Sequence, residues 1–201
     1  RLSKRRVVVA QTAKKHIVTI AGRPGSGKSA TAKAVAAELG FQHFSSGDLL
    51  RKIGEEMGLD ILQTNITAEK DAELDRRVDQ RLVELGETQD DLVIDSRLAW
   101  HWIPNSFKVF LDLDLETAAV RILKGIDSAR MESENIPTNP QEYAELLQDR
   151  LDSETRRYQA KYQVNAYDKH NFDLVVDTAI NDIEAVAGIV IRNYREWLSR
   201  S

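Results

Sequence analysis

The sequence predicts an α/β domain in which helices cover both faces of a parallel β-sheet. Three observations support this fold class. Strand-like and helical segments alternate along most of the 201 residues. Strand-like runs such as residues 91–95 are short, apolar and bounded by charge, as expected for strands buried on both faces. A glycine-rich turn at residues 22–29 joins the first strand to the first helix.

Each of the first segments carries its own local signal. Residues 16–21 form a β-rich run, and residues 30–39 predict an alanine-rich helix that ends at Gly40. The short aromatic run at 41–44 predicts a second strand. A turn containing Ser and Gly then leads into a predicted helix at 48–58.

The middle of the chain continues the alternation. Residues 67–85 predict a long, highly charged helix. Its sparse apolar stripe consists of Ala68, Leu74, Val78, Leu82 and Leu85. Residues 91–95 and 107–112 predict the third and fourth strands, and residues 115–124 predict the helix after them.

The last third begins with a break in regular structure. Residues 125–140 hold Gly125, Pro137 and Pro140 among polar residues, which predicts a surface loop or lid. Residues 141–164 return to a charged helix. The fifth strand is predicted at 172–177, and an amphipathic helix is predicted at 181–198.

Composition limits the classes of function that fit this chain. Residues 1–15 carry six Lys or Arg and no acid, although the net charge is −4, so we expect a flexible basic tail before one domain at 16–201. Such a tail can bind nucleic acid, but this one is short and lacks aromatic residues, which argues against nucleic-acid binding. The chain has no Cys and no apolar run long enough to span a membrane, so we expect a cytoplasmic protein.

The glycine-rich turn matches the phosphate-loop pattern of Gly, four residues, then Gly-Lys-Ser or Gly-Lys-Thr. Glycines let backbone N–H groups face a polyphosphate with no Cβ in the way. We expect Lys28 to reach the β- and γ-phosphates and the Ser29 hydroxyl to bind Mg²⁺. The residues predicted to bind ATP here are Gly22, Gly25, Ser26, Gly27, Lys28, Ser29 and Ala30.

Other candidate site residues follow the second and third strands. Ser46 and Arg51 come after the second strand, and Asp95 and Arg97 end or follow the third. Parallel strands bring their carboxyl ends to one edge of a sheet, where ligands bind, so these side chains should converge. Arginine is suited to phosphate because its guanidinium is planar and always charged. Asp95 could hold Mg²⁺ or organise the site.

The helix at 141–164 leaves two interpretations open. Arg150, Glu154 and Arg157 share one helical face. Their spacing alone favours an ion-pair ladder on a solvated face, as is common on surface helices. The alternative is that both arginines lie over a phosphoryl group in transfer. The tyrosines at 158, 162 and 167 are expected to pack against the core.

Taken in order, residues 22–29, 46–51, 95–97 and 150–158 resemble the nucleoside monophosphate kinases. Within them the chain is most similar to the compact cytidylate kinases typical of archaea, and the likeness covers residues 16 to about 195. The resemblance implies the P-loop fold, a five-stranded parallel sheet with two small insertions. These are a monophosphate-binding segment at about 46–88 and a lid at about 122–160.

The resemblance also implies an activity, the ATP- and Mg²⁺-dependent phosphorylation of CMP and dCMP by a monomeric enzyme. Ser46 and Arg51 would contact the monophosphate, and Arg76, or its neighbour Arg77, would reach it from the monophosphate-binding helix. Arg97 would hold the acceptor phosphate. On the lid side, Arg150 and Arg157 would close on the phosphates. Arg121 would lie against the ATP base.

Three departures leave the acceptor base open. Leu98 stands where the bacterial form has an acid that recognises cytosine, Gly125 stands where related kinases carry a lid arginine, and residues 131–137 match no lid pattern. UMP, AMP or another small acceptor therefore remain alternatives. A regulatory protein that uses ATP as a switch and the basic tail as an anchor is an alternative of a different class.

Overall fold

The computed structural model describes residues 13–59, 72–126, 131 and 136–200. Within them lies one parallel sheet of five strands in the order β2-β3-β1-β4-β5. The strands are β1 (Ile17–Gly22), β2 (Gln42–Ser45), β3 (Leu92–Asp95), β4 (Phe107–Asp112) and β5 (Leu174–Asp177). The predicted α/β class and the five predicted strands are therefore confirmed.

Helices connect the strands, as the alternating pattern predicted. They are α1 (Lys28–Leu39), α2 (Ser46–Glu56), α3 (Ala72–Thr88), α4 (Ala99–Trp102), α5 (Leu115–Gly125), α6 (Pro140–Tyr162) and α7 (Ile183–Ser199), with a short 3₁₀ turn at Lys169–Asn171. The start predicted for the third helix, residue 67, lies outside the described residues, as do 127–130 and 132–135, which are half of the predicted loop at 125–140. The short helix α4 was not predicted.

The core lies on both faces of the sheet because alternate residues of a strand point to opposite sides. On one face, Val18 and Ile20 pack among buried residues that include Val35 of α1 and Val190 of α7. On the other face, Ile17 packs against α3 and α4. No helix in the described parts of the chain combines the length and apolar character that crossing a membrane requires.

The strand register aligns the carboxyl ends of the central strands. Ile20 of β1 lies beside Asp95 of β3, and Asp95 lies beside Ser45 of β2. The phosphate loop after β1, Asp95 and the start of α2 therefore meet at one edge of the sheet. This is the edge where the sequence predicted a binding site.

The end of the predicted tail contacts the domain. The backbone N–H of Lys15 donates to the carbonyl of Asn105 at 3.1 Å, and the Asn105 amide donates to the Ala13 carbonyl at 3.0 Å. The ammonium of Lys14 lies 4.8 Å from the ring centre of Trp197. Residues 1–12 of the predicted tail lie outside the described residues.

Candidate active site

The phosphate loop has the backbone that its glycines predicted. Gly25 and Gly27 have φ angles of 71° and 79°, in the left-handed region that favours glycine. Gly22 has a φ of 154°, and a Cβ added there would lie 2.3 Å from the backbone oxygen of Leu111. The loop therefore approaches β4 more closely than any residue with a side chain could.

Lys28 points into this loop. Its Nζ donates to the carbonyl oxygen of Arg23 at 3.1 Å, and the Ser26 hydroxyl donates to the same oxygen at 2.8 Å. Burial lowers the pKa of Lys28 to about 8, and the positive charge of Arg97 adds to this shift while Asp95 opposes it. Lys28 therefore lies close enough to Asp95 and Arg97, at the carboxyl end of β3, for their charges to shift its pKa.

Ser29 and Asp95 form the next part of the site. The Ser29 hydroxyl donates a hydrogen bond to Oδ2 of Asp95, which is 5% exposed. Ser46 donates its hydroxyl hydrogen to the Asp95 backbone oxygen at 3.3 Å. A hydroxyl and a carboxylate in contact are hard oxygen ligands of the kind Mg²⁺ prefers, so the residues fit this ion.

No cluster of three or more His, Cys, Asp or Glu suited to a metal occurs within the described ranges.

A buried carboxylate joins the arginines of the site. Glu154 on α6 is 7% exposed, and its Oε2 lies 2.9 Å from Nε of Arg97. Nε of Arg97 makes no hydrogen bond, so the contact is an ion pair. The Nε of Arg150 donates to Oε1 of Glu154 at 3.2 Å, and the Tyr167 hydroxyl donates to Oε2.

These contacts set the charge of the group. Burial alone would raise the pKa of Glu154, but Arg97 and Arg150 outweigh it, so the pKa lies below its ordinary value. Glu154 in turn raises the pKa of Arg97 against the opposing effect of burial. The ladder interpretation of this helix is therefore wrong in one respect, because Glu154 is buried against Arg97 instead of lying on a solvated face.

A small cavity of about 90 Å³ extends from Arg97 between α2, α3 and α6. Ser46 lines it from the edge of the sheet, Asp79 lines it from α3, and Arg157 and Tyr162 line it from α6. Its position beside the phosphate loop and its charged lining fit the second substrate of a transfer reaction.

Two predicted arginines lie outside this cavity. Arg51 is exposed and paired with Asp48, and its guanidinium lies over Gly47 at the cavity rim. Arg76 is exposed and donates to Glu73 of its own helix at 2.7 and 2.6 Å. The residues of α3 that line the cavity recur at 75, 78, 79 and 82, a helical repeat that leaves position 76 facing away.

The donor side has a second cavity, of about 320 Å³, beside the phosphate loop. Gly27, Arg121 and Asn181 are among the residues that line it. The Arg121 guanidinium donates to the carbonyl oxygens of Thr178 at 2.6 Å and Ala179 at 3.2 Å. These two bonds hold the Arg121 guanidinium at the wall of this cavity.

Sequence reasoning missed the central position of Glu154 and the contributions of Tyr167 and Asp79. The spacing of Arg150, Glu154 and Arg157 identified their helical face but not what covers it. For α3 a usable signal was present, because Asp79 directly follows Val78 of the apolar stripe and therefore lies at the edge of the buried face.

Comparison with known proteins gives consistent results. Residues 21–138 match a family model described as an AAA domain. A cytidylate kinase of Haloquadratum walsbyi is 37% identical over 166 residues, which cover 81% of each chain. Cytidylate kinases of Halobacterium salinarum (36% over 182 residues, 87% of each chain) and Methanocaldococcus jannaschii (33% over 179 residues, 87% of this chain and 94% of the relative) are also similar.

Solved structures agree on the fold. The shikimate kinase of Aquifex aeolicus superimposes with a TM-score of 0.57 at 19% identity, over 89% of this chain and 96% of its own. An uncharacterized protein from Eubacterium ventriosum superimposes with a TM-score of 0.63 at 16% identity, over 92% and 99%. At these identities the likeness concerns the fold alone.

Proposed function

The chain belongs to the cytidylate kinase family, and on that premise we propose that it transfers the γ-phosphoryl group of ATP to CMP and dCMP. The observation that carries the proposal is the electrostatic contact between the two halves of the site. The pKa of Lys28, in the phosphate loop, is shifted by the charges of three residues on the acceptor side, Arg97, Glu154 and Arg150. Donor and acceptor phosphates bound to these groups would face each other.

Phosphoryl transfer needs positioning and neutralisation of charge rather than a covalent nucleophile. In the proposed mechanism Lys28 binds the β- and γ-phosphates of ATP, and backbone N–H groups of the phosphate loop surround them. Arg97 holds the acceptor phosphate in line with the γ-phosphorus. Arg150 and Arg157 neutralise the charge that develops on the transferred group.

A bound Mg²⁺ ion would supply positive charge that offsets the negative charge of the phosphates. Ser29 and Asp95, whose side chains are in contact, are the residues that would hold it. Glu154 is a positioning residue in this proposal. Its contacts with Arg97 and Arg150 fix both guanidinium groups before substrate binds.

Closure of the site is a further part of the proposal. Segment 46–88 would close over the monophosphate and segment 122–160 would close over ATP, which excludes water and prevents hydrolysis of ATP. Arg51 lies at the rim of the cavity that extends from Arg97, which we call the acceptor cavity. It would reach the monophosphate as segment 46–88 closes. We further propose that the enzyme is a monomer, acts on cytoplasmic nucleotides and does not bind nucleic acid.

The test is a coupled assay in which purified protein is given MgATP with CMP, dCMP, UMP or AMP in turn. We expect CMP and dCMP to give diphosphates, and Lys28→Ala to remove this activity while circular dichroism shows the fold intact. Absence of diphosphate from every pyrimidine monophosphate would contradict the proposal. Preference for UMP or AMP would keep the enzyme class and change the acceptor.

The regulatory alternative is tested separately. It requires ATP binding without monophosphate turnover, together with a salt-sensitive gel shift on nucleic acid that is lost when residues 1–15 are removed. The arginines at 97, 150 and 157 favour the kinase, because an ATP switch has no need of cations arranged for a second phosphate.

A further inference from the structure

Asp79 occupies an unusual position in the acceptor cavity. Its Oδ1 accepts a hydrogen bond from Nε1 of Trp102 at 3.1 Å, and its Oδ2 accepts one from the hydroxyl of Tyr162. The two aromatic rings pack edge to face with their centres 5.4 Å apart. The carboxylate is thus held in one orientation by two donors whose own positions are fixed by packing.

The two carboxylates that α3 turns toward the cavity differ in their partners. Asp75 lies 3.3 Å from Nζ of Lys161 and 3.9 Å from Nε of Arg157, so its charge is matched by two cations. Asp79 is held instead by two neutral donors, each of which uses one lone pair of a different oxygen. A carboxylate offers about four acceptor positions, so Asp79 can accept further hydrogen bonds from a ligand.

The cavity has two chemically different ends. Glu154, which pairs with Arg97, and Tyr162, which bonds Asp79, both lie on α6 and are eight residues apart. At the rise of an α-helix this spacing is roughly 12 Å along the helix axis. One end therefore presents a guanidinium to a phosphate, and the other presents an oriented carboxylate at about the distance of the base of a bound nucleotide.

We propose that Asp79 selects cytosine by accepting a hydrogen bond from its 4-amino group. The inference rests on the proposed function and names the base recognised at that site. Uracil carries a carbonyl oxygen at the same position, which would face the carboxylate with no proton between two acceptors. Leu98 also lines the cavity, but its apolar side chain offers no hydrogen-bond acceptor.

The partial burial of Asp79 strengthens the discrimination between the two bases. This burial raises the pKa of Asp79, although hydrogen bonds from Tyr162 and Trp102 oppose the shift. A buried acceptor left unpaired by the wrong ligand costs its full desolvation energy. Sites built around such a hydrogen bond reject ligands that lack the donor far more strongly than apolar pockets do.

The first experiment uses the unmodified protein. Its kcat/KM is measured with CMP, with UMP and with the 4-deamino analogue of CMP, in which hydrogen replaces the amino group. We expect both UMP and the analogue to fall roughly 10- to 100-fold below CMP, because each lacks the donor. The analogue adds neither bulk nor a repelling oxygen, so it isolates the hydrogen bond.

The second experiment uses two matched variants. Asp79→Asn can donate to the uracil carbonyl, so we expect the ratio of kcat/KM for CMP to that for UMP to fall at least 10-fold. The control is Asp75→Asn, which changes a carboxylate one helical turn away on the same face. It should lower both values in similar proportion and leave their ratio unchanged, because the Asp75 carboxylate is already paired with the cations Lys161 and Arg157.

The outcomes separate this inference from the proposed function. An unmodified protein that phosphorylates no pyrimidine monophosphate contradicts both. An active protein that uses CMP, UMP and the 4-deamino analogue equally well overturns the role of Asp79 alone. That role is also overturned if Asp79→Asn keeps the normal ratio, or if Asp75→Asn is the variant that changes it. If Asp79→Asn fails to fold, the analogue measurement still decides.

Discussion

Glu154 places its carboxylate 2.9 Å from the guanidinium of Arg97. The contact joins α6 to the end of β3 across the acceptor cavity. The Glu154 side chain is 8% exposed and that of Arg97 is 31% exposed, so the acid is enclosed while the arginine retains a face toward the cavity. Glu154 therefore neutralises and orients Arg97 without blocking the side that an acceptor phosphate would approach.

Replacing this acid should weaken the fold. Glu154→Gln leaves two guanidinium groups without a counter-charge, and breaking a buried ion pair costs about 3 kcal/mol or more. We expect the free energy of unfolding in urea at pH 7 to fall by about that amount. Glu145→Gln, an exposed change on the same helix, is the matched control and should stay within about 0.5 kcal/mol.

The ion pair between Glu154 and Arg97 also predicts how the loss of unfolding free energy in Glu154→Gln depends on pH. Because the folded-state pKa of Glu154 is depressed, its contribution is complete above the pKa of the unfolded chain and is lost as pH falls through the folded value. The stability difference between the unmodified protein and Glu154→Gln should therefore be constant near neutrality and shrink in acid. A difference that persists unchanged at pH 2 would contradict the ionised state of Glu154.

Lys28 should make ATP binding dependent on pH. Its pKa is about 8 in the unliganded protein, and the phosphates of ATP favour the charged form, so binding above pH 8 must take up a proton. We expect the Kd for MgATP to rise about tenfold for each pH unit above this value. Calorimetry in buffers of different ionisation enthalpy measures the proton directly, and no uptake at pH 9 would refute the prediction.

The close approach at Gly22 predicts a large effect from one methyl group. Gly22→Ala would place a Cβ 2.3 Å from the Leu111 oxygen, so the loop must move away from β4. We expect a loss of about 2 kcal/mol or more in unfolding free energy and weakened ATP binding. Gly188→Ala is the control, since the added Cβ meets nothing within 4 Å inside α7, and it should stabilise the protein by about 0.5 to 1 kcal/mol. Equal effects of the two changes would count against the steric argument.

The sequence determined the sheet and one half of the site well, for physical reasons. Apolar runs bounded by charge identify buried strands, and parallel strands bring their carboxyl ends together, so the meeting of Ser29 with Asp95 followed from topology. The other half depends on which face of a helix is covered. Spacing shows that Arg150 and Glu154 are neighbours, but only the packing of α6 against Arg97 and Tyr167 makes Glu154 a buried acid.

Arg76 and Arg157 test whether packing, rather than position in the sequence, decides which arginines act on substrate. Both were expected to contact substrate, yet Arg157 lines the acceptor cavity while Arg76 is exposed and paired with Glu73. We expect Arg157→Ala to lower kcat/KM for CMP roughly 100- to 1,000-fold, the usual effect of removing one group that stabilises transition-state charge. Arg76→Ala removes only a solvent-exposed ion pair and should change kcat/KM less than about threefold. Steady-state assays of both variants beside the unmodified enzyme make the comparison.

A large loss in Arg76→Ala would mean that α3 rotates or bends as substrate binds and brings position 76 inward. A normal rate in Arg157→Ala would remove that arginine from the mechanism and leave Arg97 and Arg150 as the cations of the acceptor side.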